Sequence, residues 1–197
     1  MAAVLRALLV LAALAATPLA AYAQNLPRVI NLSSESTPGW TPSVALEREV
    51  LRTHAAYFAA IESGDFATAY AMIAPINRQT SAEVFAQQGQ ERRAADGALI
   101  DRTIVKLTWT KDPPNAPFPG IYAAIDVTSR HANIDRECGY LMWYQKPEGG
   151  PFMMMRIETT RMDNATAAQI EKDHDRAEVD RVWAAASSYC PNYPSAG

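Results

Sequence analysis

The chain has little of what most enzyme chemistry requires. Among 197 residues there are three histidines and two cysteines. No C-x-x-C occurs, so a dithiol redox centre lacks its usual signature. G-x-S-x-G, the Walker loop, G-x-G-x-x-G and H-E-x-x-H are all missing. Serine hydrolysis, nucleotide binding and zinc proteolysis therefore have no motif to support them. A basic excess is missing too. Lys and Arg number 18 against 21 Asp and Glu, and the pI is about 5.6. An extended nucleic-acid surface needs a basic excess on the protein to neutralise phosphates, so nucleic acid is not an expected partner.

Long apolar runs are confined to one place. Met1 to Ala23 holds a single charge, Arg6, followed by ten apolar residues from Ala7 to Ala16. Thr17-Pro18 breaks the run, and Ala21-Tyr22-Ala23 gives an A-x-A cleavage pattern. A membrane anchor is the competing reading, but the run falls short of the roughly 20 residues a span needs. Residues 1–23 read as a removable signal peptide of bacterial type, and the location as periplasmic or secreted. No membrane span is expected after cleavage. Without this segment the net charge moves from -3 to -4.

The two cysteines, Cys138 and Cys190, fit an oxidising compartment and are expected to form one disulfide. Two free thiols are the alternative.

Residues 24–42 are rich in Ser, Pro, Asn and Thr without a period and read as a linker. Residues 43–163 carry an α+β pattern. Leu46, Val50, Leu51, Tyr57, Phe58 and Ile61 recur at helical spacing, with Thr41 or Ser43 as cap and Gly64 as stop. Asp65 caps a short second helix that Pro75 stops. Thr80-Ser81-Ala-Glu83 gives the capping-box pattern with Thr80 as cap and opens a third helix to Asp96, which Gly97 closes. Alternation then marks four strands, around Thr103–Trp109, Ile121–Val127, Cys138–Tyr144 and Phe152–Met162. Residues 164–190 read as one C-terminal helix with a polar first half, docked on the domain, and residues 191–197 as a loose tail. Three helices followed by strands joined by short turns predict a curved four-stranded antiparallel sheet against the N-terminal helices.

Gly64-Asp65-Phe66, Arg92-Arg93-Ala-Ala-Asp-Gly97, Arg102, Pro119-Gly120-Ile-Tyr122, Glu137 and Gly150-Pro-Phe152 occur in that order. This succession resembles the bacterial domain-of-unknown-function family 4019 over about His54 to Met162. Phe85 and Phe152 stand where that family tends to have tryptophan. The resemblance implies an exported protein with a cone of the nuclear-transport-factor-2-like (cystatin-like) kind. It implies no reaction.

Such cones often enclose a cavity. Tyr57, Arg102, Trp109, Tyr122, Glu137 and Trp143 are the candidates to line or rim one, with Tyr70 beside them. Aromatic walls with a few polar groups describe a small-molecule pocket. The plain alternative is that the aromatics fill the core while Arg102 and Glu137 form a cross-strand ion pair. Asp126 or Glu137, if buried, would offer a carboxylate base of the kind isomerases and dehydratases use. His131, Asp135 and Glu137 form a weak metal pattern, and Asp173-His174-Asp175 fan out around a helix. His54, on the apolar stripe of the first helix, reads as a core residue with one hydrogen bond. No cofactor, metal or catalytic residue is assigned. The expected role is a non-catalytic binding module for a small ligand or an envelope protein. The alternatives are a cone-fold isomerase or dehydratase and a structural homodimer.

Overall fold

Caps and breakers set the helices. The computed structural model describes Pro27 and residues 29–186. The signal-peptide reading, Cys190 and the 191–197 tail lie outside these residues. Helix α1 spans Val44–Ser63. The Ser43 hydroxyl accepts the Leu46 N–H, and Gly64 closes the helix at a φ of 84° that favours glycine. Val50, His54, Tyr57 and Ala60 form its buried stripe. Asp65 then caps α2, Phe66–Ala71. Helix α3, Ala82–Asp96, is capped by Ser81 rather than Thr80.

One sheet of five strands follows the order β1-β2-β3-β4-β5. Strands β2 (Leu99–Lys111), β3 (Ile121–His131), β4 (Ile134–Gln145) and β5 (Met153–Asp163) pair antiparallel, as expected. The fifth strand corrects the four-strand expectation. Val29–Leu32, read as linker, forms β1 and pairs parallel to β2 through Val29↔Lys106 to Leu32↔Trp109. All four of its side chains are exposed. Main-chain bonds to β2 hold it instead of burial, which is why no alternation marked it.

The C-terminal segment is also corrected. It forms two helices, α4 (Asn164–Asp173) and α5 (Arg176–Ala186). His174 is extended, and the Asp175 carboxylate accepts the Glu178 N–H at 3.0 Å, starting a new helix. Asp175-Arg-Ala-Glu178 is a cap signal inside an apparently continuous helix.

The two faces of the sheet carry separate cores. On one face Leu107, Trp109, Ile125, Leu141 and Trp143 meet Val50, Tyr57 and Ala69 of the N-terminal helices. On the other, Cys138 and Met162 meet Ala167, Val179 and Trp183 of α4 and α5. Arg136, 1% exposed, pins this second layer by donating to Asp135 at 2.7 Å and to Asp180 at 2.6 Å. Arg176 closes the network on Asp135 at 2.7 Å. Burial pushes the Asp135 carboxyl up, but the hydrogen bonds from Arg136 and Arg176 overcome this and hold it below the ordinary carboxylate range.

Strands β4 and β5 approach closely because of Gly139. A Cβ there would lie 2.0 Å from the Glu158 carbonyl oxygen, a main-chain atom that cannot rotate away. Gly139→Ala is expected to cost about 3 kcal/mol, the upper end for overpacking. Urea unfolding checks this, and a loss below about 1 kcal/mol would contradict the packing described.

Candidate functional site

Helix α3 is the unusual element. Its sequence, AEVFAQQGQERRAAD, offers only Val84 and Phe85 as large apolar side chains. A helix so polar cannot press an apolar stripe onto the sheet. Fixed contacts hold it instead. On one side Gly89 lies against Phe66, with a hypothetical Cβ 2.3 Å from the ring, and Phe85 meets Phe66 and Tyr70 edge-on or tilted. On the other side Arg92 bonds Glu137 of β4 at 2.9 Å, and Asp96 receives Arg161 of β5 at 2.6 Å. The Asn133 N–H donates to the Asp96 carbonyl at 2.9 Å.

The space left between α1, α3 and the sheet is a cavity of about 580 Å³. Its apolar lining comes from Tyr57, Phe58 and Ile61 of α1, Phe85 of α3, Leu99 of β2 and Ile157 of β5. Glu62, Gln88, Arg92, Arg93, Asp96, Arg102, His131 and Glu137 supply the polar groups. Arg102 lies over the Phe58 ring, 3.6 Å from its centroid. It donates to Ser129 Oγ at 3.3 Å and pairs with Glu62. Arg92 also bonds Asp96 at 3.2 Å. Each carboxylate in the lining is therefore held by a guanidinium. Burial pushes the Tyr57 hydroxyl up to about 12, so it remains a proton donor at neutral pH.

Three of the six candidate residues meet here: Tyr57, Arg102 and Glu137. Trp109 and Trp143 do not. Both are fully buried in the core, Trp109 against Trp40 and Phe152, Trp143 against His54 and Tyr57. Tyr122 is nearly buried beside Tyr144, donating to the Phe118 carbonyl at 2.8 Å. Tyr70 lines a separate hollow with Arg78 over its ring. The expected ion pair between Arg102 and Glu137 does not form. Ser129 of β3 pairs in register with both residues, so they stand two strands apart on one row. Each finds a helix partner instead, Glu62 and Arg92.

Alternation along a strand would put Asp135 and Glu137 on one side, and they are not on one side. The pairing of β4 slips between Ile134 and Arg136, as a bulge does. Asp135 turns to α5 while Glu137 turns to α3. Among the described residues no three His, Cys, Asp or Glu side chains gather as for a metal ion. Asp126 is bonded to Lys106 at 2.9 Å. Sequence reasoning did not single out Phe85, Arg93 or Asp96 for a site. The signal was present: an amphipathic stripe is missing from α3, while Arg92 and Asp96 sit one turn apart.

Among the described residues no helix is long and apolar enough to cross a membrane. No curated protein and no solved structure matches the chain. Arg92, Arg102 and Glu137, which carry the family resemblance, all reach the cavity, whereas Pro119-Gly120-Ile-Tyr122 shapes the turn into β3. The model of a protein family of unknown function, DUF4019, matches residues 53–153, just over half of the sequence, and the chain belongs to that family.

Proposed function

We propose that this protein is a small exported binding module that takes a small molecule into the cavity between α1, α3 and the sheet. The cavity itself carries the reading. At about 580 Å³ it falls within the range of ligand pockets, and aromatic and aliphatic side chains form much of its wall. Binding is favoured over proton transfer because the two candidate bases are engaged, Glu137 with Arg92 and Asp126 with Lys106.

Export to the periplasm or beyond is supported by the cleavage pattern at Ala21-Tyr22-Ala23. A Cys138–Cys190 disulfide belongs to the same reading. Cys138 is buried beneath α5, and that helix ends at Ala186, four residues before Cys190. Such a bridge would pin the helical layer to β4. Alkylation with and without prior reduction checks it by mass: labelling before reduction would reject the bridge.

The ligand reading is tested by thermal shift against a panel of small envelope metabolites. At ligand concentrations near 100 Kd, binding adds about 3 kcal/mol, which raises Tm by roughly 6 °C or more in a chain of this size. A panel without any shift, together with a crystal structure showing the cavity closed by side chains, would reject it.

A further inference from the structure

The hydrogen-bonding groups of the cavity are unevenly engaged. On the acidic side nothing is left over: Glu62, Asp96 and Glu137 are each paired with arginine. On the donor side several groups are left over. The Tyr57 hydroxyl, the Gln88 amide, the Arg93 guanidinium and the His131 imidazole line the cavity, and none has a hydrogen-bond partner among the described residues. The charges agree with this. Arg92, Arg93 and Arg102 line the cavity with those three carboxylates; Arg92 and Arg102 are bonded to them, and Arg93 is the one without an ion-pair partner among the described residues. Arg93 is also held near the mouth. Its Nη1 would lie 2.8 Å from a Cβ on Gly64, at the end of α1, and its side chain is exposed.

The apolar wall therefore offers unused donors and one guanidinium without a carboxylate of its own. A ligand supplies what the site lacks. We infer that the cavity takes an anionic amphiphile, a small aliphatic or aromatic body ending in a carboxylate, with the carboxylate held at Arg93 and the body along Phe58, Ile61, Phe85 and Leu99. This rests on the binding reading above and names its ligand class. Arg93 is the selectivity residue, because the other arginines are already committed to carboxylates of the protein.

Isothermal titration of the full exported chain tests the assignment. The probes are octanoate and 4-phenylbutyrate, each against its own primary amide. The amides keep the body and remove the charge. The carboxylates are expected to bind about tenfold tighter than the amides, the difference between a hydrogen-bonded ion pair and a contact in which only the guanidinium is charged. Arg93→Gln should abolish that preference, weakening the carboxylates far more than the amides. Arg93→Lys should retain most of it. Since Arg93 is exposed and makes no ion pair among the described residues, neither change threatens the fold. Amides that bind as tightly as the acids, or a preference that survives Arg93→Gln, would overturn the ligand class and leave the cavity reading standing. Failure of all four probes to bind would overturn both. The relative affinities of octanoate and 4-phenylbutyrate then assign the body as aliphatic or aromatic.

Discussion

Trp143→Ala is expected to be among the most destabilising single substitutions in this chain. The side chain is fully buried between α1 and the sheet. Its indole meets Tyr57 edge-on at 6.0 Å and His54 at 6.2 Å. It also donates its N–H to His54 Nδ1 at 3.3 Å. Truncation removes the packing, leaves a void in a core of interlocked aromatics and deprives a buried imidazole of its donor. Losses for such changes run about 3–5 kcal/mol. Part of this belongs to the hydrogen bond. Trp143→Phe keeps most of the volume and should cost only about 1–2 kcal/mol beyond repacking, for the acceptor left unpaired. Urea unfolding measures both. A loss below about 1 kcal/mol for the alanine variant would contradict the assignment of Trp143 to the core.

The second large effect is a loss of stability in mild acid, and its source is His54. This imidazole is 2% exposed. With Nδ1 accepting from Trp143, the neutral ring carries its proton on Nε2. Burial first, and then the positive charge of Arg102, push its pKa down to about 3. In the unfolded chain the same ring takes up a proton near its ordinary value of 6.5. Between these two values the unfolded state binds the extra proton and the native state does not. The contribution of His54 is therefore fully present above about pH 6.5 and falls away as the pH drops toward 3. The slope is about 1.4 kcal/mol per pH unit, and the whole window is worth roughly 5 kcal/mol. His54→Gln removes the titration but keeps a side chain able to accept from Trp143. Its stability should depend on pH between 6.5 and 4 less steeply than that of the wild type by about that slope. Carboxylates with lowered pKa values, Asp135 among them, contribute equally to both proteins and cancel. Equal slopes for the two proteins would show that His54 is protonated as readily in the native state as in the unfolded chain.

The fold was legible where the sequence uses punctuation and period. Ser43, Gly64, Asp65 and Gly97 bound their helices because caps act through local hydrogen bonds and a single dihedral angle. The four antiparallel strands were legible because alternation reports a sheet with two different faces. Strand β1 was not, since its side chains are exposed and its bonds to β2 reach about 77 residues along the chain. The division between α4 and α5 was hidden in a run of charged residues, where only Asp175-Arg-Ala-Glu178 marked a new start.

The site was legible in part. Tyr57, Arg102 and Glu137 were found as an aromatic and two charges able to line a cavity between the helices and the sheet. Their partners were not found, because partner choice depends on tertiary position. Register places Ser129 between Arg102 and Glu137, so each charge turns to a helix that sequence spacing cannot bring near. Trp109 and Trp143 looked like walls of a pocket and are the centre of the core. A large aromatic serves either purpose, and only the position of α3 distinguishes them. That helix is polar, so the cavity opens where it meets α1 and the sheet.

The central claim is that this cavity, and no other part of the surface, receives a small ligand. Octanoate titrated into isotopically labelled protein, followed by amide chemical shifts, tests it most directly. Saturable shifts at Phe58, Ile61, Phe85, Arg93 and Leu99 are expected, with α4 and α5 unmoved. Shifts confined to the α4–α5 layer or to β1, or no saturable shift at the cavity residues, would contradict the account.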